Sequence, residues 1–437
     1  MLRRRHEQEH RTDIIVHDNH EDDNRKRSRG DRWCKCASPE RNGSSTRSKG
    51  IPIAAAIVLV VCGSLLLLRE RIRLPQGGEL QPNRSTRPGS AKRGLNVAVA
   101  VLFTTGPKIN YTLSPGAVDG AAVLLRSMEK VRSSDDSQYH IEYLAMITPE
   151  VDTRWIPVVE QLGYKARRVK VPIQTNEIRN SALARAIDED GRLGTNEMAK
   201  IEPFLFTEYD RVLVLDSDLM FHRNFDELFL TNPADNSIAL QWTEGYHPME
   251  HMNGGFFIIH PKSVDAAKHY NAILDILRKG DYRTKVRGNI GKPSVITAGS
   301  VQGMIGWGGT GYGTTFGGRT MQGLLPYYFL HLLNGTASAP LDRCRYNNMQ
   351  QTQRCKAYSP DQITSNHFTG YCKKPWKCFA ATTTYDEMIL AEREPEISTI
   401  CRSFQDAWWE EWSKLSKEFA RGSRCRSFVS QEMFNSV

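Results

Sequence analysis

Two carboxylates separated by one residue close an apolar run, Tyr209-Asp210-Arg211-Val212-Leu213-Val214-Leu215-Asp216-Ser217-Asp218. In a β-strand, residues i and i+2 share a face, so a strand carried to its end aims Asp216 and Asp218 at one point. Two carboxylates on one point suit a hard divalent cation with coordination positions left open. Such an ion can grip a diphosphate and take up charge on a departing phosphate. The alternative is an Asp-Ser-Asp turn that does no more than end a strand, since both residue types favour turns. The tripeptide alone does not choose; its company does.

The elements that must position this pair follow from the hydrophobic period. Residues 96–104 form a continuous apolar run, the pattern of a strand buried on both faces. Val118, Ala121, Ala122, Leu125 and Met128 then recur at helical spacing. The pattern predicts a second strand over 139–148, a short helix over 155–162, a third strand over 168–172, a helix over 196–206, and a strand over 211–215 that ends in the acids. Strand and helix in repetition imply an α/β fold, with a parallel or mixed sheet covered on both faces. Ligands of such sheets collect beyond the carboxyl ends of the strands, where Asp216 and Asp218 fall.

Four other residues could serve a metal and a diphosphate. His367 could add a third ligand as a neutral imidazole with its spare N–H held by an acceptor, although a lone His is otherwise an ordinary surface residue. Lys200 and Lys374 could neutralise phosphate oxygens as point charges, or simply be solvated. Asn253, followed by two glycines, either lets backbone approach a sugar closely or makes a turn.

Taken in order, these residues resemble a known family. The segment KIEPFLFTEYDRVLVLDSD from Lys200 to Asp218 is similar to the K-x-x-x-F-x-x-T-x-Y-D-r-v-l-y-L-D-x-D block of the glycogenin-like retaining glycosyltransferases, glycosyltransferase family 8. His251-Met252-Asn253-Gly254-Gly255-Phe256-Phe257-Ile258-Ile259-His260-Pro261 resembles the family's F-N-S/G-G-v-m-v-i-n-p strand. His367-Phe368-Thr369-Gly370, followed by Lys374-Pro375-Trp376, resembles its late H-F-x-G and K-P-W element. The similarity runs over roughly residues 95–380, in three ordered blocks.

The resemblance implies a GT-A fold, a Rossmann-like mixed sheet flanked by helices. It implies a UDP-sugar donor bound through Mn²⁺ or Mg²⁺, and transfer to a glycan or glycoprotein acceptor with retention of the α configuration. Asp216, Asp218 and His367 would be the metal ligands. Phe103, Thr104, Thr105 and Tyr111 would surround the uridine, and Lys200, Ser217, Asn253, Gly254, Gly370 and Lys374 the rest of the donor. Lys374 and Gln302 would be catalytic, Lys374 by assisting the leaving group. One departure stands out. The family's D-Q-G appears as Val301-Gln302-Gly303, and Val neither accepts a hydrogen bond nor takes a proton. Asp265, Asp281 or another acid could compensate, or nothing does. A sugar-nucleotide-binding or glycan-binding member with little catalysis, and a nucleotidyltransferase releasing pyrophosphate, therefore stand beside the transferase reading. Gly306 to Gly311 spells G-x-G-x-x-G, but without the strand before and helix after that a dinucleotide site needs, and no G-K-S/T follows. It is either a mobile loop over the substrate or a plain connector.

The remainder of the chain sets the context. Residues 1–50 are polar and mixed in charge, a disordered cytosolic tail holding Cys34 and Cys36. Residues 51–68, IPIAAAIVLVVCGSLLLL, carry no charge and no polar face, as expected of a transmembrane signal anchor. Residues 69–93 form a Pro/Gly/Ser-rich stem, 94–380 the catalytic domain, and 381–437 a C-terminal helical extension. In the extension, Phe404, Trp408, Trp412, Leu415 and Phe419 make a stripe that would dock on the catalytic domain. Lys and Arg are balanced around the apolar run, so orientation rests on other signals. Cys344, Cys355, Cys372, Cys378, Cys401 and Cys425 all follow it, as do the sequons at Asn83, Asn110 and Asn334, while only Asn42 precedes it. Disulfides and sequons beyond the run suit a single-pass type II protein of the Golgi or another secretory membrane, its catalytic domain lumenal. Six cysteines allow 15 pairings. The net charge of +9 divides into +4 over residues 1–50, from 13 basic against 9 acidic groups, and +5 beyond, without a concentrated patch. Nucleic acid is therefore not the expected partner.

Overall fold

The structure is a computed structural model that describes residues 94–106, 113, 115–132, 139–189, 193–230, 237–245, 250–284, 305–315, 317–349, 355, 358–369, 372–376 and 395–419. Residues 1–93 lie outside the described residues, and so do Tyr111, Val301, Gln302, Gly370, Cys378 and Cys425. Among the described residues no helix is long and apolar enough to cross a membrane.

The chain opens with β1 (Leu95–Phe103), α1 (Pro115–Val131), β2 (Tyr139–Ile147), α2 (Trp155–Gln161), β3 (Lys165–Arg168) and α3 (Ser181–Glu189). A 3₁₀ segment, Gly194–Leu205, leads into β4 (Arg211–Leu215), β5 (Leu219–Phe221), α4 (Glu227–Leu230), β6 (Leu240–Thr243) and β7 (Phe256–Ile259). Then come α5 (Ala266–Lys279), β8 (Tyr282–Arg283), β9 (Gly306–Trp307), α6 (Met321–Pro326), β10 (Ser338–Leu341), α7 (Arg343–Tyr346), β11 (Ser365–His367) and α8 (Pro395–Phe419).

Seven strands form one sheet in the order β10-β6-β7-β4-β1-β2-β3. Its ladders are parallel except the two that β7 makes, with β4 and with β6. The strands are apolar on both faces because both faces are covered. Along β4, Val212 and Val214 join one core, while Leu213 and Leu215 join the other. α1 and α2 close the second face, and α3, the 3₁₀ segment, α5 and α6 close the first. This is the mixed α/β architecture that the alternating periods imply.

Two elements differ from the sequence reading. The third strand lies at 165–168 rather than 168–172, because it is the sheet's edge and carries Lys165, Arg167 and Arg168 instead of an apolar run. Val169 makes one more bond to Ile147 before the chain turns away toward Pro172, which has no N–H to offer a ladder. The helix expected at 196–206 is 3₁₀, with Pro203 inside it. A proline ring collides with the carbonyl four residues back in an α-helix, and the tighter i→i+3 pattern avoids this.

A third core joins α8 to the main body. Ile397, Cys401, Phe404, Trp408, Trp412 and Leu415 line one stripe of the helix and pack with Ala122 and Val123 of α1, Met220 of β5 and Phe368. Phe404, Trp408, Trp412 and Leu415 of the expected stripe therefore dock, and the stripe extends further toward the helix start; the Phe419 side chain lies outside the described residues. Among the described residues two disulfides form, Cys344–Cys355 and Cys372–Cys401. The second ties the segment before Lys374 to α8.

Candidate metal and donor site

All five residues of β4 are buried, held between β1 and the antiparallel β7. Leu215 pairs with Phe256, so the chain leaves the sheet beside Gly255, whose carbonyl accepts from the Asp216 amide at 3.0 Å. Asp218 is buried, and β5 starts after it. β5 pairs antiparallel with β11, which sets His367 opposite Leu219, and the Phe368 amide donates to the Asp218 carbonyl at 2.8 Å. This short ladder brings together side chains 149 residues apart in sequence: His367 Nε2 lies 3.1 Å from Asp218 Oδ1. One ligand atom each from Asp216, Asp218 and His367 lies within 4.8 Å of the others.

The surroundings fit a cation. Asn347 donates through Nδ2 to Thr243 Oγ1 at 2.8 Å and to Asn253 Oδ1 at 3.1 Å, which assigns its Oδ1 to the His367 Nδ1, 3.1 Å away. His367 therefore carries its proton on Nδ1 and turns the Nε2 lone pair toward a carboxylate. Two acceptors face each other, and a positive charge between them satisfies both. A side chain on Gly255 would fill this space, since a Cβ there would lie 2.6 Å from His367 Cε1 and 2.7 Å from Asp216 Oδ2. Two carboxylates and one imidazole are an acceptable donor set for Mn²⁺, and with fewer favourable terms for Mg²⁺.

A lysine flanks each carboxylate. Lys200 is buried, donating to Asp216 Oδ1 at 2.5 Å and to the Gly254 carbonyl at 2.9 Å, with Glu197 Oε1 3.9 Å away. Burial would push its ammonium down, but Asp216 and Glu197 outweigh it and hold the pKa above the ordinary lysine value. Lys374 donates to Asp218 Oδ2, and again its partner outweighs burial and raises the pKa. Burial would raise the Asp218 carboxyl, yet the Lys374 ammonium beside it holds it well below the usual carboxylate range. Lys200 and Lys374 thus stay charged beside Asp216 and Asp218.

Lys374 is placed by Trp376. The indole lies against α1 at Gly116 and Gly120, one turn apart, where a Cβ would approach it to 2.0 Å and 2.9 Å. The Lys374 ammonium sits 5.7 Å from the indole centroid. Trp376 stands in a motif visible in the sequence, whereas its seat is made by two glycines on a helix far away in the chain.

The remaining residues divide. Ser217 stays half-buried between the two acids, and its carbonyl faces Gly120. Asn253 accepts from the Gly255 amide at 2.9 Å and from Asn347, so its oxygen shapes the loop at the site. Gly254 gives its carbonyl to Lys200. Phe103 turns inward and packs edge-on against Tyr164, so its ring is part of the core. The Thr104 hydroxyl donates to Glu150 Oε1 at 2.6 Å, an oxygen that also takes bonds from Thr148 and Asn196. The Thr105 carbonyl accepts from Asn196 at 2.8 Å. These two threonines and Glu150 brace the end of β1.

A cavity of about 120 Å³ opens beside Asp216 and Lys200, with Glu197, Arg319, Thr320 and Gln322 on its walls. Gln322 belongs to a second Gln-Gly pair, Gln322-Gly323 on α6, and it lies at the site whereas Gln302 falls outside the described residues. The residue before it is Met321, fully buried. Asp265 and Asp281, raised as compensating acids, pair on the surface with Lys268 and Arg283. Besides Asp216, the acid on the cavity wall is Glu197. The glycine-rich stretch folds on itself rather than standing free: Trp307 is buried, its indole N–H donates to Gly318 at 2.9 Å, and Gly306 and Gly308 take positive φ angles.

No protein-family model matches the chain, and a comparison with curated proteins finds no match. Among solved structures, the chain is similar to the glycosyltransferase GlyE of Streptococcus pneumoniae TIGR4, at 14% identity and a TM-score of 0.41 over 75% of this chain and 64% of that one. It is also similar to mouse xyloside xylosyltransferase 1, at 13% identity and a TM-score of 0.38 over 66% of this chain and 100% of that one. A third is the galactosyltransferase LgtC in complex with donor and acceptor sugar analogues, at 12% identity and a TM-score of 0.35 over 70% and 95%.

Proposed function

We propose that the chain is a metal-dependent retaining glycosyltransferase that moves a sugar from a UDP-sugar to a glycan or protein acceptor. The observation that carries this reading is the junction at the end of β4, where two carboxylates and an imidazole converge with a lysine on either side. The ordered resemblance of the three sequence blocks supplies the donor class. Asp216, Asp218 and His367 would hold Mn²⁺ or Mg²⁺, which supplies Lewis acidity to the diphosphate. Lys374 meets the phosphate that leaves with UDP and stabilises charge as the bond to the anomeric carbon breaks. Lys200 fixes Asp216, and the adjoining cavity receives the sugar, with Gln322 and Thr320 as partners for its hydroxyls. The acceptor oxygen bonds to the same face of the anomeric carbon, and its proton passes to the departing phosphate oxygen. The two disulfides support work in an oxidising lumen, with residues 51–68 as the anchor of a type II Golgi or other secretory-membrane protein.

Purified full-length chain incubated with Mn²⁺ and a panel of UDP-sugars should release UDP only with metal, and NMR of the product should show the α configuration retained. Asp216→Asn or Asp218→Asn should lower release by about 100-fold or more. Unchanged release in both variants, or pyrophosphate in place of UDP, overturns the reading. One observation favours a second reading, a sugar-nucleotide-binding protein: Gln302-Gly303 and Gln322-Gly323 do not follow an Asp, since Val301 and Met321 stand there. That reading expects metal-dependent UDP binding with no release from any donor.

A further inference from the structure

The cavity beside Asp216 is small. At about 120 Å³ it is below the roughly 300–1,000 Å³ of a site for a whole drug-sized ligand, so it takes one ring-sized group. Its walls include Asp216 and Lys200 but not Asp218, His367 or Lys374, so it opens at the Asp216 side of the cluster. Two cations and two carboxylates line it, and three of these four are engaged with one another. Lys200 is bonded to Asp216 and lies near Glu197, and Glu197 Oε2 also takes the Thr320 hydroxyl at 2.6 Å.

Arg319 is the fourth. Among the described residues no carboxylate pairs with it, and its buried Nε has no hydrogen-bond partner. The guanidinium is nonetheless fixed, because it bonds the Tyr282 hydroxyl, which in turn donates to the Gly313 carbonyl at 2.7 Å. A fixed, flat cation with an unsatisfied buried N–H is costly to leave alone and matches a carboxylate in two-pronged fashion. A neutral hydroxymethyl group would satisfy the hydrogen bond and leave the charge unanswered.

We infer that the cavity selects a donor whose sugar bears a carboxylate, a UDP-uronic acid, and that Arg319 binds that carboxylate. The inference rests on the UDP-sugar reading above and narrows it. The full-length chain with Mn²⁺ is titrated by calorimetry with UDP-glucuronate, UDP-galacturonate, UDP-glucose, UDP-galactose and UDP. At least one uronate should bind on the order of 10- to 100-fold more tightly than the hexose of the same configuration. Arg319→Gln should bring that ratio close to one, and Arg319→Lys should keep part of it, with UDP binding as the check that each variant is folded. Equal affinities in the unaltered chain, or a ratio that Arg319→Gln leaves intact, overturn the inference while the UDP-sugar reading stands. If no uridine nucleotide binds in the presence of Mn²⁺, the donor reading fails and takes this inference with it.

Discussion

At the scale of single residues, Asn347 decides which nitrogen of His367 is free to bind an ion. Substituting alanine removes the acceptor at Nδ1 and frees the ring to turn, so Mn²⁺ affinity should fall about 10- to 100-fold in a metal titration while the fold persists. Asp216, Asp218, His367 and the two lysines were legible because each stands in a short motif at fixed spacing. Asn347, Gly255 and Glu197 were not, since their roles come from the β5–β11 ladder and from close approach of segments far apart in sequence. The glutamine shows the same limit. Beyond the stem two Gln-Gly pairs occur, and it is the packing of α6 that brings Gln322 to the cavity wall.

At the scale of elements, α1 offers a glycine seat to Trp376, and the site depends on that seat. Gly116→Val would put branched carbon into the indole, shifting Lys374 from Asp218. UDP affinity should drop severalfold or more by calorimetry, with the far-ultraviolet circular dichroism unchanged. His260, the residue after β7, tests the sheet itself. Burial, aided by nearby Arg211, lowers its pKa to about 3, so it stays neutral in the fold. The unfolded chain takes up a proton below about pH 6.5. Stability should therefore be intact above that pH and fall as pH goes from about 6.5 toward about 3. Denaturant midpoints of His260→Gln should show a shallower decline over the same range. β1, β2 and β4 could be read as strands because they are apolar throughout. β3 could not be placed correctly, since an edge strand carries charge where the eye looks for valine.

At the scale of the whole molecule, α8 covers a surface that the sheet and α1 leave apolar. Trp408 is fully buried there, against Trp376 at 5.7 Å between centroids. Trp408→Ala should cost about 3–5 kcal/mol in chemical denaturation, and should also loosen the segment that carries Lys374. The stripe itself was plain in the sequence, while its destination against Trp376 and Phe368 was not. The ladder that delivers His367 has a consequence for biosynthesis. A ribosome makes β4 and both acids long before it makes β11, so a growing chain carries an acidic pair lacking its imidazole and its second lysine. Under the proposed function, metal and sugar nucleotide would be captured only after the late segments have been synthesised and have folded back, and partially translated chains would be kept from consuming donor.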